Sequence, residues 1–199
     1  MVVKSRRQEH MELTRAAVLD AAAEQFAQRG FAATTIDDVA SAARVSKGTV
    51  YYHFVDKARL FEAVFRDGQT RLIDRVAKAV EGRHEPWEQL EAGLDAYLTG
   101  TVADEAHRAL LQEAPGALGV GRCRQIDEEM GLPVLRVALE QLATTGELVD
   151  TPIDMLARVL FGALCEAAMT AGADPHPGLA GQQAAAVLRA ITAGLRRPT

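Results

Sequence analysis

An all-α fold is predicted by three features of this 199-residue chain. Alanine is abundant while aromatics make up only 5%, and the β-branched and aromatic clusters that mark strands are almost absent. Apolar residues recur at helical rather than alternating spacing. Glycines and prolines fall between the periodic stretches and divide the chain into about nine helices. The length suffices for a sizeable core, as one large domain or a small one joined to a larger one. Hydrophobic residues at 48% and charged residues at 25% are ordinary for a folded chain.

Residues 1–11 read as a disordered basic arm carrying Lys4, Arg6 and Arg7, with Arg15 just beyond. A first helix over 12–28 repeats Val18, Leu19, Ala22 and Phe26 at helical spacing and stops at Gly30. Thr35 followed by Asp38 makes a capping box for a short helix ending near Ala43, which buries Ile36, Val39 and Ala40. Arg44 and Val45 form a tight corner, and Ser46 caps the next helix, 47–53. Two helices of two turns joined so closely have a helix-turn-helix shape. Asp56 caps a long fourth helix with an apolar stripe including Leu60, Phe61, Val64, Phe65 and Leu72; Gly82 ends it. Pro86 opens a helix bearing Trp87, Leu90, Leu94, Tyr97 and Leu98. Further helices are expected over 104–113, 123–144 with a break at 131–133, 152–171 and 179–195, and a loop over 115–121.

Charge divides the chain unevenly. Residues 1–57 hold eight Lys and Arg against seven Asp and Glu, whereas 58–199 hold fourteen against twenty, for an overall charge of −5. Only the local field matters at a phosphate, so the acidic remainder is compatible with nucleic-acid binding. Cys123 and Cys165 have no CxxC spacing and form neither a disulfide framework nor a zinc site. The N-terminus lacks the apolar segment of a signal peptide. The run 159–165 is too short to cross a bilayer, so a cytoplasmic protein with no membrane partner is expected.

The helix at 47–53 is unusual in its dress. Val50 and Phe54, four apart, face inward, which turns Ser46, Lys47, Gly48, Thr49, Tyr51, Tyr52 and His53 to the outside or the rim. Its first turn offers free N–H groups and a positive dipole end to a phosphate, and Gly48 lets the backbone approach closely. Lys47 and Thr49 have the reach for base edges or phosphate oxygens. A phenol packs on sugar or a thymine methyl while its hydroxyl bonds phosphate. Thr35 and Lys57, at the starts of the flanking helices, are positioned as backbone clamps. Exposed aromatics beside lysine and glycine favour this reading over a mere packing corner.

The run TTIDDVASAARVSKGTVYYHFVDKARLFEAV, preceded by AAAEQFAQRGF, resembles the DNA-binding domain of the TetR family of transcriptional regulators over residues 14–66. The resemblance implies a three-helix DNA-binding domain over 12–57 and a larger helical domain over 58–199 that dimerises and holds a small-molecule effector. It implies a palindromic double-stranded DNA operator, a homodimer and release by the effector. By position, Thr35, Tyr51, His53 and Lys57 match backbone clamps, while Lys47, Thr49 and Tyr52 match base or mixed contacts. Arg44 stands where the family most often has glycine; if the turn residue takes positive φ, that costs about 1 kcal/mol, and an arginine–phosphate contact would compensate.

Two recognition helices must lie about one DNA turn apart, roughly 34–36 Å, to read both half-sites. The last two helices are the expected interface, through Ile153, Leu156, Leu160, Leu164 and Ala168 on one and Val187, Leu188, Ile191 and Leu195 on the other. Phe65, Trp87, Tyr97, Met130, Phe161 and Met169 are candidates to line an effector pocket, with His107, Arg122, Cys165 and Glu166 as polar handles. No cofactor or metal is implied: none of the five histidines has an i,i+4 ligand partner. No nucleophile–base–acid set argues for an enzyme. The alternative is a helical ligand- or protein-binding module whose DNA domain is non-functional.

Overall fold

The computed structural model describes residues 5–198, which form ten helices and no strand. They are α1 (Arg6–Ala33), α2 (Ile36–Ala42), α3 (Lys47–His53), α4 (Lys57–Val80) and α5 (Pro86–Ala103), then α6 (Glu105–Leu118), α7 (Val120–Met130), α8 (Leu132–Thr144), α9 (Ile153–Ala173) and α10 (Pro177–Ala193). The single bridge pairs Leu148 with Arg196 among the described residues.

Several expectations are corrected. Of the expected disordered arm, residues 1–4 lie outside the described part, and helix runs from Arg6. Ser5 and Gln8 form a reciprocal capping box there, satisfying donors that would otherwise need water. Gly30, at φ 78°, breaks the helix where it was expected to stop, and one short further turn carries α1 on to Ala33. The expected loop at 115–121 is helical to Leu118 despite Pro115, and Gly119 at φ 84° makes the turn instead. The break expected at 131–133 is present: two helices, the first starting at Val120 rather than 123, meet at Gly131, which raises the count from nine to ten. There Phe161 lies so close that a Cβ on Gly131 would meet its ring at 2.5 Å.

Two apolar clusters organise the packing. The first joins α1, α2, α3 and the front half of α4, with Phe26 packed edge-on to Phe61 at 5.1 Å. It reaches past the expected boundary at 57/58, because Leu110 and Ala114 of α6 and Ile126 of α7 are buried in it. The second is built on Leu72 and on α5, α8, α9 and α10. α9 is 21 residues long and, by length and composition, apolar enough to cross a membrane. The shorter run counted from sequence missed this because alanines extend it. In the fold its inward face, Ala157, Leu160, Phe161, Leu164 and Ala168, belongs to the second cluster.

Candidate nucleic-acid interface and effector cavity

Three capped helix starts build the first site. Thr35 accepts from the Asp38 amide at 3.2 Å and Asp38 accepts from the Thr35 amide at 2.9 Å. The Thr35 hydroxyl and then its amide, both donating to the Asp38 carboxylate, with Arg29 nearby, hold that carboxyl down at about 2. Ser46 accepts from the Thr49 amide at 3.1 Å, and Asp56 from the Arg59 amide at 2.7 Å. The corner between α2 and α3 is a Schellman motif: the Val45 amide donates to Ala40 at 3.0 Å and the Arg44 amide to Ser41 at 3.2 Å. Arg44 sits at its left-handed position with φ 57°, unlike any other non-glycine among the described residues. The turn expected to strain a non-glycine residue does so.

From this frame α3 presents one polar face. Val50 and Phe54 are buried, while Tyr51 and Tyr52 are 47% and 68% exposed. Lys47 and Gly48 are exposed, and Thr49 and His53 half-buried. Gly48 has helical backbone, and a Cβ there would meet nothing nearer than Ser46 Oγ at 3.7 Å. Lys47 pairs with Asp37 at 2.7 Å; both are solvent-exposed, so the pair holds the lysine only weakly. Burial lowers the His53 pKa, and Arg15 adds to the effect, favouring the neutral ring.

Lys57, expected as a backbone clamp, is engaged within the chain. Its ammonium donates to the carbonyls of Phe31, Ala32 and Thr34 at 2.7, 3.3 and 3.0 Å and lies 4.4 Å from the Phe31 ring centre. All three protons are committed to the frayed end of α1. Thr35 likewise spends its hydroxyl on Asp38, at 2.6 Å.

A cavity of about 440 Å³ opens between α4, α5, α6, α7 and α9. Six of the ten expected pocket residues line it: Phe65, Tyr97, Phe161, Cys165, Glu166 and Met169. Tyr97 and Phe161 also border a second, apolar cavity of about 270 Å³ toward α8. The Tyr97 hydroxyl lies 3.8 Å from Cys165 Sγ, whose thiol burial pushes up to about 12. Four residues are elsewhere. Trp87 packs in the second cluster under the Arg196 guanidinium, 4.7 Å from its ring. His107 is buried between α6 and α4, and Met130 packs against the first cluster. Arg122 points away to Glu62, bonding it at 3.2 Å through Nε and again through Nη2. Arg122 and then Arg66 hold the Glu62 carboxyl down at about 2 against the opposing effect of burial, and Arg66 also pairs with Glu129. Asp127 is a cavity residue that sequence reasoning missed: it sits among charges on α7, and nothing in its spacing sets it apart.

The chain has counterparts among known proteins. The description "Bacterial regulatory proteins, tetR family" matches residues 18–64, and "Tetracyclin repressor-like, C-terminal domain" matches 87–195, more than half of the chain. The chain belongs to the TetR family of transcriptional regulators. It is 24% identical over 159 residues to the Transposon Tn10 TetC protein of Escherichia coli, covering 80% of each. To the probable acrEF/envCD operon repressor of Escherichia coli K12 it is 30% identical over 62% of its own length, spanning 54% of that relative. A crystal structure of a TetR-family regulator from Pectobacterium atrosepticum superposes with a TM-score of 0.81 at 25% identity, over 98% of this chain and 100% of that one.

Of the nine residues expected at an interface on α9 and α10, most are engaged within the chain. Leu160, Leu164, Ala168 and Leu188 are buried within the chain, and Ile153, Leu156 and Leu195 pack against the same core. Val187 and Ile191 alone of the nine are exposed. The periodicity identified each helix's strongest stripe, and the chain's own core takes that stripe first. The free apolar face is a second, weaker one: Met155 and Val159 on α9, Leu179, Val187 and Ile191 on α10.

Proposed function

We propose that this chain is a homodimeric repressor that binds a pseudo-palindromic DNA operator through α3 and leaves it when a small molecule occupies the α4–α9 cavity. The observation that carries the reading is the exposed face of α3. Two phenols, a lysine and a hydroxyl stand on a helix anchored from behind by Val50 and Phe54. Gly48 has no internal reason to be glycine: its backbone is helical and its surroundings are open. Close approach by an outside backbone supplies one. The weak Lys47–Asp37 pair is readily exchanged for a phosphate. Dimerisation through the exposed α9 and α10 faces spaces two α3 helices for two half-sites.

Selection of bound sequences from a random duplex pool, followed by footprinting and anisotropy titration against salt, tests this. The expected result is a protected pair of half-sites about 10 base pairs apart, with log K falling linearly with log salt. Lys47→Ala reduces that slope by about one, and Tyr52→Ala weakens binding with the fold intact. A flat salt dependence with no protected site would leave a helical sensor whose DNA domain is inert.

A further inference from the structure

The α4–α9 cavity carries an electrostatic imbalance that points to the kind of molecule it receives. Its walls hold Arg124 and Arg158 against Asp127, Glu128 and Glu166. Both arginines face Glu128, at 3.9 and 2.8 Å, rather than Asp127, and the five charges sum to −1. Among the described residues Glu166 accepts from the Thr170 hydroxyl, at 3.3 Å, and from no Lys or Arg. Asp127 accepts a long bond from Gln69 Nε2 at 3.3 Å, and no Lys or Arg pairs with it among the described residues. Phe65, Tyr97, Phe161 and Met169 supply the apolar walls around it.

Burial raises the Asp127 pKa to about 6, so near neutral pH it is mainly a desolvated anion with one neutral donor. A carboxylate in that state is costly unless a cation joins it. Carboxylate ligands meet repulsion there, and a neutral donor such as a hydroxyl offers a hydrogen bond but no opposite charge.

We infer that the effector is an apolar molecule bearing a protonated amine, seated with its body against Phe65, Tyr97, Phe161 and Met169 and its ammonium on Asp127. This rests on the proposed reading of the cavity as the effector site and narrows it to a ligand class. Glu166, on the facing helix, is the second oxygen donor within the same cavity. The bound pair gains a charge-assisted hydrogen bond in a half-dry site, which discriminates an amine from its isosteric alcohol by about ten-fold or more.

Calorimetric titration of the full chain tests it with two matched probe sets: 4-phenylbutylamine, 4-phenylbutanol and 4-phenylbutyrate, and n-octylamine, n-octanol and n-octanoate. In at least one set the amine is expected to bind about ten-fold tighter than the alcohol, with the carboxylate weakest. Asp127→Asn should bring amine and alcohol within about three-fold of each other, with alcohol affinity unchanged. If that variant fails to fold, the wild-type order of the three head groups decides alone. Equal affinities, a carboxylate preference, binding by none of the six, or an amine preference that survives Asp127→Asn each overturn the inference. Salt-dependent duplex binding that persists alongside any of these results leaves the DNA-binding reading intact.

Discussion

His107 makes the fold acid-sensitive in a way that can be isolated. Its side chain is 3% exposed, and neither ring nitrogen meets a hydrogen-bond partner among the described residues. The ring lies flush on α4, where a Cβ on Gly68 would be 2.7 Å from Nδ1. Burial drives its pKa down to about 4 from 6.5; Asp104 opposes the shift, and Arg71 and Arg75 add to it. Between those values the unfolded chain binds the extra proton and the folded chain does not, so stability falls as pH drops. At pH 4.5 the penalty is roughly 2–3 kcal/mol, at about 1.36 kcal/mol per unit. Asp127 works the other way: its raised pKa means the folded chain holds the extra proton between 3.8 and about 6, so acid favours folding there. That contribution is common to wild type and His107→Leu and cancels between them. Urea unfolding at fixed protein concentration, at pH 7.5 and 4.5, gives the comparison. Wild type should lose roughly 2–3 kcal/mol more than His107→Leu on acidification. At pH 7.5 the variant should be more stable by about 1 kcal/mol, because an unpaired polar ring is gone. Equal acid sensitivity in the two proteins would refute the argument.

Lys57→Met should lower stability by about 2 kcal/mol, seen in thermal melting, and leave the salt slope of duplex binding unchanged, since its ammonium holds α1 carbonyls. Arg44→Gly should raise stability by about 1 kcal/mol by relieving the left-handed turn, yet weaken duplex binding in anisotropy at low salt. Binding that does not change confines Arg44 to the turn. Val159→Glu with Val187→Glu should keep helical circular dichroism while sedimentation reports a monomer; an undisturbed dimer would move the interface off these faces.

The DNA-binding end was legible because its information is local. Caps at Thr35, Ser46 and Asp56, the buried pair Val50 and Phe54, and a strained Arg44 each follow from residues within four positions. The larger domain was less legible because its decisive partners are far apart in sequence. Arg122 resembled a pocket handle until Glu62, sixty residues away, claimed it. The intrachain partners of Lys57 lie 23 to 26 residues back, just past the kink at Gly30, where no spacing rule points to them. The exposed apolar face of α9 and α10 was hard to read for another reason. A helix touching both its own core and a second chain carries two apolar stripes, and periodicity ranks them by strength without assigning either.

The contacts that were invisible in sequence also tie the cavity to the DNA-binding face. The corner at residues 30–34, on which α2 and α3 hang, is gripped from two sides. Lys57 at the head of α4 holds its carbonyls, and Glu113 of α6 accepts from the Phe31 amide at 3.0 Å. Near the middle of α4, Glu62 and Arg66 are locked to Arg122 and Glu129 of α7. The same α7 carries Asp127 into the cavity, and α6 lines it through Leu111, Ala114 and Pro115. A molecule that displaced α6 or α7 would therefore pull on the α1 corner through charged contacts rather than through apolar packing alone. Such contacts have discrete partners and switch by exchange, whereas a packed core resists gradual deformation. The ligand need only bind one arrangement better than the other by a few kcal/mol.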